Sequence, residues 1–190
     1  MADATGEGYP LVLQSGADPS TLGGVAVCGL TTVGSVGVIA ASHLIASLGL
    51  KPMGTVLHPE FPAVALIQES VPKHPVRVYQ GEEMGVFISE IQFPQASDFQ
   101  FGNTVLEWFQ KGGFDKLVII DGLVSEDLGL KEDGDIWGVA SLQSGRDALD
   151  AGGIQRIQQG IVTGVSGFLL AEGERQGLDI TVLLAECNPV

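Results

Sequence analysis

Apolar runs alternate with glycine-marked turns along the chain, and this pattern predicts a sheet with helices packed against it. The run at residues 25–30 is almost continuously apolar, which is typical of a strand covered on both faces. Runs at 116–121 and 180–185 have the same character. Shorter β segments between Met53 and Phe93 predict an antiparallel meander that extends the sheet. We expect further strands at residues 9–14, 54–58, 63–68, 76–80, 86–91 and 136–142.

Helical spacing and capping residues predict four helices. Asp98 is expected to cap one helix, and Ser144 with Asp147 to form a capping box for a shorter one. Because helices alternate with apolar strands, we predict an α/β fold with a parallel region and right-handed crossovers. The helices are expected after Gly34, at residues 98–111, near Ser144 and at residues 164–176.

Residues 19–50 contain no Asp, Glu, Lys or Arg, so this stretch belongs either in a core or in a membrane. Its longest helical piece spans roughly 22 Å at about 1.5 Å per residue, which is less than the roughly 30 Å of a hydrocarbon layer. Glycines also interrupt the run. We therefore expect a buried strand, turn and helix, with a transmembrane segment as the alternative, and we expect most of the helix to be buried.

Charge and length set the broad class of protein. The 190 residues favour one domain, expected to span residues 1–190 with 1–8 as a flexible N-terminus. Nine basic residues stand against 23 acidic ones, giving a formal net charge of -14. Binding to a nucleic-acid backbone needs a basic patch, so nucleic acid is not an expected partner. The first eight residues carry acids and lack an apolar segment, which predicts a cytoplasmic protein without a signal peptide.

The two cysteines, Cys28 and Cys187, lie within or beside apolar runs. We expect buried free thiols rather than a disulfide. Metal-binding spacing of cysteine and histidine is absent, so no metal site is predicted.

One candidate binding site is the turn at Gly34-Ser35-Val36-Gly37, where a strand leads into a helix. Backbone amides at such a helix start could hold an anion. The alternative is that the glycines allow the helix and the strand to approach closely. The turn matches neither a phosphate-binding loop with lysine nor a full dinucleotide-binding fingerprint.

Acidic residues at the ends of apolar strands give a second, positional indication. Asp121, Glu90 and Glu186 lie at or near such ends, and open α/β sheets bind ligands at the carboxyl edge. The candidate ligand-binding residues are therefore Gly34, Ser35, Gly37, Asp121 and Glu186.

No catalytic residue is predicted. The segment Gly164-Val165-Ser166-Gly167 lacks the final glycine of a nucleophile elbow, so Ser166 is interpreted as a helix-start residue. The three histidines, at 43, 58 and 74, lie in an apolar helix or before prolines and do not form a recognisable triad. Asp133-Gly134-Asp135 does not meet the calcium-loop pattern, and we expect neither metal nor cofactor.

Three stretches together resemble the PAC2 (proteasome assembly chaperone 2) family of archaeal type. The glycine turn and first helix, from Cys28 to Ile45, are similar to those of the family, although Leu30 and Thr31 stand where members often have an aromatic residue and proline. Residues 61–94 carry the second similarity, and residues 164–186 the third and most recognisable one. The matches keep their order over most of the chain.

This resemblance implies a three-layer αβα sandwich with a mixed, partly parallel central sheet. It also implies a non-enzymatic assembly chaperone that binds proteasome α subunits and forms a homo-oligomer. Some members dock through a C-terminal tail with a tyrosine, and residues 186–190 contain none. The alternative hypothesis is a small-ligand-binding protein or an enzyme that uses the carboxyl edge of the sheet.

Overall fold

A computed structural model describes residues 7–14, 17, 23–125 and 134–188 of the chain. Within this part, nine strands form one sheet and two more form a separate hairpin. The strands are β1 (Leu11–Leu13), β2 (Val25–Leu30), β3 (Lys51–Val56), β4 (Leu66–Gln68), β5 (Val71–Lys73), β6 (Val76–Gln80), β7 (Met84–Ser89), β8 (Lys116–Val124), β9 (Ile136–Ala140), β10 (Gln155–Arg156) and β11 (Ile180–Cys187). The helices are α1 (Val36–Ser47), α2 (Asp98–Lys111), α3 (Gln143–Ala151) and α4 (Gly164–Gln176).

The large sheet has the strand order β1-β3-β6-β7-β2-β8-β11-β9-β10. Its centre is parallel, because β2 pairs in parallel with β7 and β8, and β8 pairs in parallel with β11. Antiparallel strands extend it on both sides, with β6, β3 and β1 beyond β7, and β9 beyond β11. The predicted mixed, partly parallel sheet is confirmed. Strands β3, β6 and β7 form the predicted antiparallel meander, but the strand predicted at residues 63–68 pairs with β5 outside the sheet.

Helices cover both faces of the sheet and make it the middle of three layers. On one face, Val27 of β2 packs with Ala41 of α1. On the other face, Cys28 belongs to the larger core that contains Phe101 of α2 and Leu169 of α4. Successive strand residues point to opposite faces, so one strand supplies both cores. The predicted αβα sandwich is therefore confirmed.

The aromatic side of α2 lies inside the larger core, as its helical spacing indicated. Phe101, Val105, Trp108 and Phe109 are all buried. The Phe101 ring lies edge-on to the ring of Phe87, with 5.6 Å between centroids. Edge-to-face contact of this kind adds to the stabilisation from burial.

Two glycines allow α1 to lie directly on the sheet. A Cβ atom at Gly37 would lie 2.4 Å from the carbonyl oxygen of Ile120, and one at Gly29 would lie 2.2 Å from the carbonyl oxygen of Gly37. Neither position has room for a larger residue. The packing interpretation of Gly37 is thus confirmed.

The predicted burial of α1 was wrong. Only Gly37 and Ala41 of this helix are buried, and the side chain of Ile39 is 65% exposed. The helix contacts β2, β7 and β8 along one side. In the part of the chain that the structure describes, no other element lies over its outer side, so an apolar composition did not mean complete burial.

The predicted helix starts also need correction. The N-cap of α2 is Ser97 rather than Asp98, and the N-cap of α3 is Leu142. Ser144 lies inside α3 and donates a hydrogen bond to Asp179 Oδ2 at 3.0 Å, so it forms no capping box. The reason is that a tertiary partner competes for this hydroxyl. Helix α4 stops at Gly177 as predicted, in the left-handed conformation with φ 69°.

Both cysteines are free, as expected, and only Cys28 is fully buried. Among the described helices, none is long and apolar enough to cross a membrane. Several predictions fall partly or wholly outside the described residues: those for residues 1–6 of the N-terminus, Asp133 of the acidic loop and the last two residues of the chain.

Candidate functional site

A cavity of about 610 Å³ opens at the carboxyl ends of the parallel strands. Residues that follow β2 and β7, the second half of β8, and the loop leading into α4 form its walls. Its volume is in the range of small-molecule sites. The lining residues are Leu30, Thr31, Thr32, Val33, Ile91, Gln92, Phe93, Asp98, Asp121, Gly122, Leu123, Ile157, Gln159, Gly160, Ile161, Val162, Thr163, Gly164, Val165, Ser166 and Leu184.

The strand order explains why the sheet opens here. After β2 the chain passes through α1 to β3, on the β7 side of the sheet. After β8 it continues to β9, on the β11 side. Because β2 and β8 are neighbours, their exits diverge, and this switch point is where open α/β sheets bind ligands.

A buried serine and an aspartate meet on one wall of the cavity. Ser166, in the first turn of α4, is only 2% exposed and donates its hydroxyl hydrogen to Asp121 Oδ2 at 2.5 Å. The backbone N–H of Gly122 donates to Asp121 Oδ1 at 2.7 Å. Asp121 thus accepts two hydrogen bonds and retains acceptor capacity for a ligand. No histidine is among the described lining residues, so the pair lacks the base of an acyl-transfer triad.

Two further polar groups of the cavity have no partner in the described residues. The carboxylate of Asp98, the first residue of α2, makes no hydrogen bond or ion pair there, and burial raises its pKa above the ordinary value. Its Oδ2 atom lies beside Gly164, 3.7 Å from the position that a Cβ atom would take. Thr32 Oγ1 is buried and likewise unpartnered. Thr32 Oγ1 is a buried unsatisfied group, which is costly, whereas the Asp98 carboxylate is only partly buried.

The glycine turn predicted as a binding site directly follows Val33, which lines the cavity, but its own residues do not line it. Gly34 and Ser35 belong to a short 3-10 turn before α1, where Ser35 is left-handed with φ 51°. A Cβ atom at Gly34 would lie 2.7 Å from Cys187 Sγ. Gly37 packs against Ile120, and none of these three predicted residues lines the cavity.

The predicted acidic residues also separate in the structure. Glu186 Oε2 accepts a hydrogen bond from the backbone N–H of Asp135 at 3.1 Å, outside the cavity walls. Glu90 forms an ion pair with Arg77. Of the five candidate residues, only Asp121 therefore lines the cavity, and ligand binding at all five stays a prediction.

Comparison with known proteins identifies the family. The family model described as "PAC2 family" matches residues 26–189, which is most of the chain. The chain belongs to the PAC2 family. The resemblance noted in the sequence is thereby confirmed, and no curated protein sequence matches at a significant level.

Solved structures of similar fold agree with a PAC2 assignment. The chain is similar to Pyrococcus furiosus PbaA, described as an archaeal homolog of proteasome-assembly chaperone, with 27% identity and a TM-score of 0.83 over 95% of this chain and 77% of that one. The P. furiosus proteasome activator PbaB is 19% identical, with a TM-score of 0.76 over 95% of this chain and 81% of that one. A Mycobacterium tuberculosis proteasome-assembly chaperone homologue is 16% identical, with a TM-score of 0.63 over 86% of this chain and 75% of that one. The last two show the shared fold alone.

Three residues in the cavity of this PAC2 protein could not be recognised directly from the sequence. Asp98 and Ser166 were interpreted only as helix-start residues, and Thr32 only as part of the glycine turn. One signal could have found the first two. In a right-handed β-α-β unit the helix runs antiparallel to its strands, so the first turn of α2 and of α4 must lie at the carboxyl edge beside Asp121.

Proposed function

We propose that the protein is a non-enzymatic proteasome-assembly chaperone of the cytoplasm that binds proteasome α subunits and forms a homo-oligomer. The observation that carries the proposal is the PAC2 family match over residues 26–189. It is supported by 27% identity to PbaA, itself described as an archaeal homolog of proteasome-assembly chaperone. A chaperone of this kind works through surfaces, so it needs no reactive residues at fixed spacing.

The surface of the molecule supports a protein-binding role. Helix α1 contains no charged residue although the chain carries a net charge of -14. Its outer side exposes Ile39 at 65%, Leu48 follows the helix at 55%, and Val33 precedes it at 40%. An uncharged helix with exposed apolar side chains gives this acidic protein a surface suited to contact with another protein.

Native mass spectrometry after co-expression with the α and β subunits of the same organism's proteasome tests the proposal. The expected result is a complex that contains this chain and α subunits at micromolar concentration, with no complex formed with β subunits alone. Absence of any α-subunit complex, while circular dichroism shows a folded chain, would remove the proteasome role and leave the family assignment unaffected.

The second candidate function is small-ligand binding at the carboxyl edge of the sheet. The cavity favours it, because the carboxylates of Asp98 and Asp121 line it and Asp98 has no partner among the described residues. A thermal-shift screen of small molecules tests it. A ligand present at 100 times its Kd should raise the free energy of unfolding by about 2.7 kcal/mol. No shift across a broad panel would count against this function.

A further inference from the structure

The cavity has a distinct chemical character: negative and hydroxyl-rich groups set in apolar walls. Two carboxylates, Asp98 and Asp121, line it. Among the lining residues that the structure describes, none is Lys, Arg or His. Hydroxyl groups come from Thr31, Thr32, Thr163 and Ser166, and the rest of the wall is mainly aliphatic. A ligand that fits must therefore neutralise negative charge and also cover apolar surface.

An anion does not fit this arrangement, although a helix begins here. The first turn of α4 carries the positive end of a helix dipole, which ordinarily favours an anion. The protein already places its own carboxylates there, with Asp98 beside Gly164 and Asp121 on the Ser166 hydroxyl. A further anion would meet two like charges in a partly buried site, where screening is weak. The net charge of -14 also repels anions from the molecule as a whole.

The carboxylates of the cavity have free acceptor sites, and the side-chain amides of Gln92 and Gln159 in its wall can both donate and accept. Each carboxylate oxygen of Asp121 accepts one hydrogen bond, Oδ1 from Gly122 and Oδ2 from Ser166. Each oxygen can accept one more hydrogen bond. Asp98 has all of its acceptor sites free among the described residues. Several N–H donors carried on one positive group would satisfy these atoms together.

We propose that this cavity binds an organic cation with a short apolar stem, that is, an alkylammonium or alkylguanidinium group. The charged head contacts Asp98 and Asp121, and the stem packs against the aliphatic walls. Two sources share this chemistry: the Lys or Arg side chain of a bound polypeptide, and a free polyamine. The proposal gives a ligand class to the second candidate function and does not depend on the proteasome role.

Solution NMR titration of the full chain tests the proposal with matched probes. The cationic probes are spermidine and the capped amino acids N-acetyl-lysine methylamide and N-acetyl-arginine methylamide. Capped norleucine has the same stem without the charge, and inorganic phosphate is the anionic probe. We expect a cationic probe to shift the amide resonances of Gly122, Gly164 and Ser166, and capped norleucine to have no effect at equal concentration.

Charge-removing variants place the binding in the cavity. Asp98→Asn and Asp121→Asn should each weaken binding of the cationic probe at least tenfold. The matched control is Glu174→Gln, which removes one charge from an exposed position on α4 and should leave the Kd unchanged. The amide spectrum of each variant reports that it is folded. Asp98→Asn keeps the proposal testable if Asp121→Asn disturbs the Ser166 hydrogen bond.

The outcomes separate the sources and the alternatives. Tighter binding of spermidine indicates a free polyamine, and tighter binding of a capped amino acid indicates a polypeptide side chain; both support the proposal. Equal binding of norleucine and lysine, or equal weakening by Glu174→Gln, would overturn it. If phosphate shifts the same resonances, the proposal of a cationic ligand is wrong, while small-ligand binding at the cavity is supported. If no probe acts there, the cation proposal fails, whereas the thermal-shift screen still decides the second candidate function and α-subunit binding is unaffected.

Discussion

At the residue scale, the buried ion pair of Arg77 and Glu90 joins two neighbouring strands. Arg77 is 6% exposed, pairs with Glu90 through Nη2 and donates from Nε to the Tyr79 hydroxyl at 3.0 Å. Removing one partner leaves the other charge buried and unpaired. We expect Glu90→Ala to lower the free energy of unfolding by about 3 kcal/mol, measured by urea denaturation.

The control for this pair is Glu60→Ala. The Glu60 side chain is 74% exposed, and its Oε2 atom lies as far as 3.8 Å from Nδ1 of its partner His58. We expect a change of no more than about 0.5 kcal/mol there. Adding Arg77→Met to Glu90→Ala should recover part of the lost stability, since the unpaired charge is then absent. If Glu90→Ala is as mild as Glu60→Ala, the ion pair does not stabilise the fold.

Asp98 gives a prediction for the dependence of stability on pH. Burial raises the pKa of this carboxyl, so the folded state binds its proton more tightly than the unfolded state does. Stability contributed by Asp98 therefore falls as the pH rises past the unfolded value of about 3.9. Asp98→Asn should accordingly be more stable than wild type at pH 7, and this advantage should shrink towards pH 3 in urea denaturation.

Glu172 should behave in the opposite way. The Arg175 side chain, by its hydrogen bond, lowers the pKa of Glu172, which contributes stability above the unfolded value of about 4.3 that is lost at lower pH. Glu172→Gln should thus be less stable than wild type at pH 7 and similar at pH 3. The same sign of change in both variants would contradict the assignment of Asp98 as a carboxylate held at a cost to stability.

At the scale of elements, the hairpin of β4 and β5 turns through two residues that are unusual for their conformation. Glu69 and Ser70 have φ of 52° and 64°, and Gln68 pairs with Val71 on either side of them. Turns of this kind favour Asn-Gly, because left-handed backbone strains other residues. Ser70→Gly should raise the free energy of unfolding by about 1 kcal/mol.

A matched control distinguishes turn geometry from a general effect of glycine. Ala46 lies at an exposed position within α1. Ala46→Gly should lower the free energy of unfolding by about 1 kcal/mol, since glycine is unfavourable in a helix. Thermal denaturation of both variants compares the two signs directly. A loss of stability on Ser70→Gly would show that the turn is not strained.

Some elements could be predicted from the sequence and others could not, depending on whether a local signal marks them. Helices α2 and α4 were predicted with the observed bounds, because glycines and apolar spacing mark them locally. Strand β5 was not predicted, because Glu69-Ser70 lacks the Asn-Gly signal and Pro72 interrupts the run. The exposed side of α1 was missed because composition does not tell which neighbours an apolar helix has.

At the scale of the whole molecule, the candidate site depends on strand pairing, which no local pattern specifies. Asp121 could be predicted because it ends an apolar run in the sequence. Asp98, Thr32 and Ser166 join it only through the order of β2, β8 and β11 in the sheet. The sequence therefore predicted the edge of the sheet that carries the cavity, and not the set of side chains within it.

The charge of the whole molecule limits where two copies can meet. Each copy carries a net charge of -14, so copies repel one another except across a surface without charge. The outer side of α1 is such a surface, and Ile39 is its most exposed apolar residue at 65%. We therefore expect self-association through α1, and expect Ile39→Glu to shift the oligomer to monomer by bringing like charges together in a symmetric interface.

Light scattering during size-exclusion chromatography measures this shift. The matched control is Ile67→Glu, which adds the same charge at a side chain 67% exposed on the β4–β5 hairpin. Because both positions are exposed, neither change should alter the stability of the monomer by more than about 0.5 kcal/mol. A wild-type mass for Ile39→Glu, or equal dissociation by Ile67→Glu, would show that α1 is not the interface and that net charge alone governs association.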